Sequence, residues 1–193
     1  MTAPTIDKTQ IETALDRLET LAASSSPENA PFFAKMAILE LSGWVEETID
    51  DFVLNLALPH LRDENAHRRF EEIVRQNRGF TYESHFWRLL GLATGIVNLE
   101  QTEENMDERV LSEFKTALNG LSEIRNRLAH TSLEGTQQRT DTPTQTKLRL
   151  QTIHAGLESY AAAITPRAGS TPRAGSTPRA GSTPCAGSAA APA

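Results

Sequence analysis

Between Pro31 and Pro59 the chain runs 27 residues without a proline, and its apolar residues recur at helical spacing. One stripe carries Ala37, Leu41, Trp44, Thr48 and Phe52; a second carries Ile38, Val45, Ile49 and Val53. Steps of three and four residues return to one face of an α-helix, whereas a half-buried strand needs strict alternation. Two stripes on one helix mean that more than one neighbour packs against it, which is the situation inside a helical bundle. Pro59 ends the segment or kinks it, because proline has no amide hydrogen to donate.

The same spacing predicts four further helices. Residues 6–23 carry Ile11, Leu15, Leu18 and Leu21; residues 83–100 carry Phe86, Leu89, Leu90, Ala93 and Val97. Residues 107–130 carry Val110, Leu111, Phe114, Leu118, Leu121, Ile124 and Leu128. The last pattern, over 143–164, opens on Pro143, a residue suited to a first helical turn. Residues 60–78 are mostly charged, with Leu61, Phe70, Ile73 and Val74 as buried candidates. Gly91 and Gly95 are small residues four apart that would let another helix come close. No window alternates over six or more residues, so no sheet is expected. The expectation is an all-α bundle of about five helices.

Composition divides the chain in two. From residue 165 it reads TPRAGS three times, then TPCAGS and a short alanine-rich end; this stretch has three arginines and no acidic residue. Too few large apolar groups are present there to form a core, so 165–193 is expected to be a disordered low-complexity tail behind a helical domain over 1–164. The domain then holds 16 basic against 25 acidic residues, a net charge of −9, where the whole chain shows −6. Its seven glycines and five prolines are about 7% of it, below the roughly 12% of average usage, which favours long helices. The only cysteine, Cys185, replaces the arginine of the fourth repeat and leaves no disulfide or cysteine-based metal site. No apolar stretch approaches the ~20 residues of a spanning helix, and the first ten residues lack the pattern of a secretory signal. These features predict a soluble cytoplasmic protein.

The residues that carry chemistry close the 107–130 pattern: Ser122-Glu123-Ile124-Arg125-Asn126-Arg127-Leu128-Ala129-His130. At about 100° per residue, Leu118, Leu121 and Leu128 fall within about 40° of Phe114, and Arg125 falls at about 20°. Asn126 and His130 fall together on the opposite face, near 120° and about 160°. A guanidinium on an apolar stripe must find an anion or reach outward along its own aliphatic stem. Spacing alone also allows an ordinary role, with Arg125 paired to a core-edge carboxylate and His130 meeting the negative end of the helix dipole.

The run Arg125-Asn126-Arg127-Leu128-Ala129-His130 resembles the R-x4-6-H signature of the HEPN superfamily (higher eukaryotes and prokaryotes nucleotide-binding domains), in its RNxxAH form. Leu39-Glu40-Leu41-Ser42-Gly43-Trp44-Val45-Glu46-Glu47 is similar to the long helix of HEPN domains of the toxin and abortive-infection type. The resemblance covers roughly residues 5–164, and the six-residue motif is its specific part. It implies a HEPN-like bundle and a metal-independent endoribonuclease without a cofactor, acting as a homodimer whose two motifs meet in a cleft. It also implies a toxin or phage-defence effector, acting beside an antitoxin or sensor protein. Arg125, Asn126 and His130 would be the catalytic residues. His130 would move protons near neutral pH, Arg125 would hold the charge gathering on phosphorus, and Asn126 would orient one or the other.

Around that motif, Glu40 is a candidate anionic partner of Arg125. Arg62, Arg68, Arg69, Arg75 and Arg78 form the densest basic cluster of the domain and are candidate RNA contacts. Asp63, Glu64, Glu71 and Glu72 interleave with them, so a solvated face is the competing reading. His60, His67, His85 and His154 have no metal-ligand spacing, and no phosphate-cradling glycine loop is present. A domain at −9 repels nucleic acid on average, so an RNA substrate would be a particular structured one, such as a tRNA loop, or be presented by a partner.

Overall fold

A computed structural model describes residues 5–129 and 141–164. They form seven α-helices: α1 (Thr9–Ser24), α2 (Ala30–Ala57), α3 (Glu64–Gln76), α4 (Arg88–Thr94), α5 (Ile96–Glu104), α6 (Glu108–Ala129) and α7 (Pro143–Ile164). A 3-10 turn over Leu58–His60 follows α2, and a π-helical turn over Tyr82–Trp87 leads directly into α4. There is no strand among the described residues, and the all-α expectation holds. None of these helices is long and apolar enough to cross a membrane. The tail expected to be disordered, 165–193, lies outside the described residues.

Helices α1, α2, α6 and α7 form the bundle, and α2 packs against all three of the others. Side-chain contacts set the directions. Glu19 near the end of α1 accepts from Thr144 at the start of α7, while Ile6 O meets His154 Nε2 further along α7 at 3.0 Å. Both stripes of α2 are inside: Ala37, Ile38, Leu41, Val45, Ile49, Phe52 and Val53 are buried, and Trp44 is half-buried with its Nε1 donating to Asp7 O. Helix α3 packs on α2, α4 lies beside α2, and α5 returns against α7.

Two departures raise the expected five helices to seven. The charged segment 60–78 contains α3, which starts because the Asp63 side chain accepts from Ala66 N at 3.1 Å. Glu64 in its first turn and Arg75 in its last both suit the helix dipole. The single helix expected over 83–100 is broken at Gly95, whose φ of 86° only glycine adopts without strain. Beyond the break α5 folds back, and Leu99 Cδ2 comes within 3.6 Å of where a Gly91 Cβ would sit. That is ordinary van der Waals distance, so an alanine would fit at 91 and the packing of α5 does not depend on a glycine there.

The π-helical turn drives Tyr82 and Phe86 into the bundle against Phe114 of α6 and Tyr160 of α7. Phe86 meets Phe114 edge-on at 5.1 Å and Tyr160 at 4.9 Å between ring centres. Both tyrosine hydroxyls donate to Glu103 Oε1, at 2.5 Å and 3.1 Å, and stand 2.7 Å from each other. Burial pushes both phenols well above their ordinary range, so they stay protonated and serve as donors. Lys115 completes the cluster, 3.5 Å from Glu103 Oε2 and 4.4 Å over the Tyr82 ring.

Gly156 is what lets Phe114 lie flat against α7: a Cβ there would overlap the Phe114 ring. Alanine is otherwise the better helix former by about 1 kcal/mol. Gly156→Ala is nonetheless expected to cost about 1–3 kcal/mol through overpacking, read as a lower thermal midpoint. A raised midpoint would contradict this packing.

Candidate functional site

The last turn of α6 presents Arg125 and Asn126; His130 lies outside the described residues. Arg125 starts on the apolar stripe, as its helical angle requires, and escapes burial along its stem to leave its side chain 40% exposed. Its Nη1 donates to Asn126 Oδ1 at 3.2 Å, so two residues about 100° apart on the helix meet through the length of the arginine. Its Nη2 lies 3.9 Å from Glu46 Oε2 on α2.

Glu46, rather than Glu40, is thus the anion beside Arg125. Glu40 is exposed, and six residues along a helix turn it to a different side from Glu46. The Glu46 carboxylate also reaches a third element: its Oε1 accepts from Gly79 N at 2.8 Å. Gly79 has φ 118°, a left-handed conformation that suits glycine, and it turns the chain between α3 and the π-helical turn. One side chain therefore ties α2, the end of α6 and the Arg78–Gly79 turn together. At 3.9 Å and half exposed, the contact with Arg125 is a loose ion pair that a stronger anion can displace.

One turn further along α2 lies Asp50, half-buried and on the same face as Glu46. Burial first, then the negative charges of Glu46 and Asp51, push its carboxyl up to about 6. Neither Glu46 nor Asp50 was singled out in the sequence. A paired acid spacing of four on α2 was visible, but nothing local showed that the end of α6 lies over it.

The five arginines proposed as RNA contacts are all exposed, but they do not converge. Arg62 precedes α3 and Arg78 follows it, so the length of a 13-residue helix, about 20 Å, separates them. Arg68 and Arg75 share a face, and Arg68 Nη2 donates to Asn65 Oδ1 at 2.7 Å. Only Arg78 is adjoined by backbone to Glu46, through Gly79. Of the other histidines, His67 Nε2 meets Leu61 O at 2.9 Å, His85 Nδ1 stands 2.6 Å from Thr81 Oγ1, and His154 is buried between Ile6 O and Glu158. Among the described residues no three His, Cys, Asp or Glu side chains group to hold a metal. Two described grooves, of about 460 and 530 Å³, lie along α6–α7 and at the junction of α1, α2 and α7; neither is lined by Glu46, Arg125 or Asn126.

What the described residues define is an all-helical bundle that presents an arginine and an amide at the end of one long helix beside a carboxylate of another. Comparison with protein-family models, with curated proteins and with solved structures finds no match for the chain.

The raised Asp50 pKa carries a test with a fixed sign. The folded carboxyl holds its proton to a higher pH than an unfolded aspartate near 3.8, so its contribution to stability is present in acid and lost as pH rises through about 6. Asp50→Asn should raise the thermal midpoint more at pH 7 than at pH 5. An equal effect at both values would show that Asp50 titrates normally.

Proposed function

We propose that this chain is a HEPN-type, metal-independent endoribonuclease of the cytoplasm that works as a homodimer, and that it serves as a toxin or phage-defence effector. The RNxxAH run at 125–130 motivates the reading, and its setting supports it: a long helix late in an all-helical body. The observation that carries most weight is Arg125, drawn off the apolar stripe to the surface and turned onto Asn126 beside a loosely held carboxylate. A guanidinium so held is set to take a phosphate oxygen in place of Glu46.

Cleavage by the RNA's own 2′-hydroxyl fits these residue types. A base removes the 2′-hydroxyl proton, the 2′-oxygen bonds to phosphorus, the bond from phosphorus to the 5′-oxygen breaks, and an acid protonates that oxygen. Arg125 holds the negative charge that gathers on the phosphoryl oxygens, and His130 moves a proton. The net −9 of the domain requires a selected RNA, such as a tRNA loop, or delivery by an antitoxin or sensor partner. The same acidity, with an anion already beside Arg125, favours the alternative: a non-catalytic HEPN-like module that dimerises or binds a partner.

Purified protein incubated with total tRNA in EDTA separates the two. The nuclease reading expects fragments ending in 2′,3′-cyclic phosphate and 5′-hydroxyl, with His130→Ala and Arg125→Ala each slower by about 10²–10⁴-fold. Intact RNA in EDTA contradicts the proposed chemistry, and intact RNA with divalent metal as well leaves the binding module.

A further inference from the structure

The corner between α4 and α5 carries three large apolar side chains that the bundle does not use. Leu92 of α4 and Ile96 and Val97 of α5 are 54%, 56% and 66% exposed. The other exposed large apolar residues, Leu21, Phe32, Ile73 and Leu148, each stand on a different helix. At the corner the three fall within six residues of chain. They amount to about 300 Å² of apolar surface, a size at which a patch on a soluble protein is often functional.

The exposure is built into the fold. Helix α5 turns Leu99 and Thr102 inward, together with Glu103, which takes both tyrosine hydroxyls. Val97 stands about 160° around the helix from Leu99, so α5 cannot rotate to bury it without withdrawing that face. The corner is also well fixed. Gly95 N donates to Gly91 O at 2.9 Å, and Leu99 N donates to Gly95 O at 3.0 Å. Asn98 Nδ2 donates to Thr94 O at 2.7 Å, and Thr94 Oγ1 donates to Leu90 O at 2.8 Å. A surface held in this way loses little conformational freedom on docking.

The charges at its edges point to the occupant. Arg88 lies one turn before Leu92 on the same face of α4, and Glu100 lies one turn after Ile96 on the same face of α5. Both are exposed, and neither has an ion pair among the described residues. Glu104, a turn beyond Glu100, extends the anionic edge. The apolar centre thus has a cation on one side and anions on the other. Rotation by 180° about an axis through that centre sets the cation of one copy on the anion of the other, twice, so the surface is its own complement. The domain as a whole, at −9, repels a second copy, and a face that opposes unlike charges is where pairing costs least.

We propose that this corner is the face through which two copies of the chain pair, with Leu92, Ile96 and Val97 at its centre and Arg88 of each copy against Glu100 of the other. The apolar side chains supply the affinity, and the rim charges set the register. The inference goes beyond the ribonuclease reading: that reading calls for a homodimer without naming its face, and the corner stands whether or not the protein cleaves RNA.

The test is the mass of the full chain in solution, followed by sedimentation equilibrium from micromolar to several hundred micromolar protein. The expected result is a reversible dimer of the 21.2 kDa chain. Val97→Glu should be monomeric throughout, with wild-type helix content. Arg88→Glu sets like charges together and should weaken the dimer about tenfold, and adding Glu100→Arg should restore it. Should Val97→Glu fail to fold, the charge variants, both at exposed positions, carry the test. A wild-type monomer, a Val97→Glu dimer, or a double variant no tighter than Arg88→Glu overturns the proposal. None of these measurements uses RNA, so failure of the ribonuclease reading leaves them unaffected.

Discussion

The Glu46 carboxylate has two oxygens facing two different elements, and the arrangement of the candidate site follows from that division. One oxygen takes the Gly79 amide and the other approaches Arg125. The hydrogen bond holds the turn that leads out of α3; the other oxygen stands beside Arg125, whose own aliphatic stem carries its guanidinium off the stripe that its helical angle assigns it. The near-neighbour Asp50 responds to the same placement, since Glu46 raises its pKa after burial has done so.

This arrangement needs a rigid frame, and the aromatic cluster supplies it. Phe114 against Gly156 sets the spacing of α6 from α7, and Phe86 wedges the π-helical turn between them. The two tyrosine hydroxyls on Glu103 satisfy the polar groups that this burial carries inward. The end of α6 and the π-helical turn are therefore held by one core, although no side chain of the cluster belongs to the site.

Most of the frame was legible because helix period survives into tertiary structure: both stripes of α2, except the half-buried Trp44 and Thr48, and the line Phe114, Leu118, Leu121 and Leu128 are buried as their spacing demands. Helix α3 was not, because only Val74 of its residues is fully buried and its apolar side chains, Phe70, Ile73 and Val74, are few among the charged ones. The break at Gly95 was hidden because a lone glycine within an apolar pattern fits a continuous helix as well as a corner. In the site, Arg125 and Asn126 stood out by type and spacing, but their neighbours did not. Choosing Glu46 over Glu40 depends on how α6 lies across α2, and the Gly79 amide reaches Glu46 only through a left-handed turn after α3. Neither relation has a one-dimensional signature.

The central proposal is that Arg125 and Asn126, beside Glu46 and the Gly79 turn, take a phosphate group of RNA. The most direct test is amide chemical-shift mapping of the full chain titrated with an uncleavable 2′-O-methyl RNA oligonucleotide. The account predicts saturable shifts at Gly79, Arg125 and Asn126 that follow a single binding curve. Shifts confined to other surfaces, or two groups that titrate independently, would contradict it.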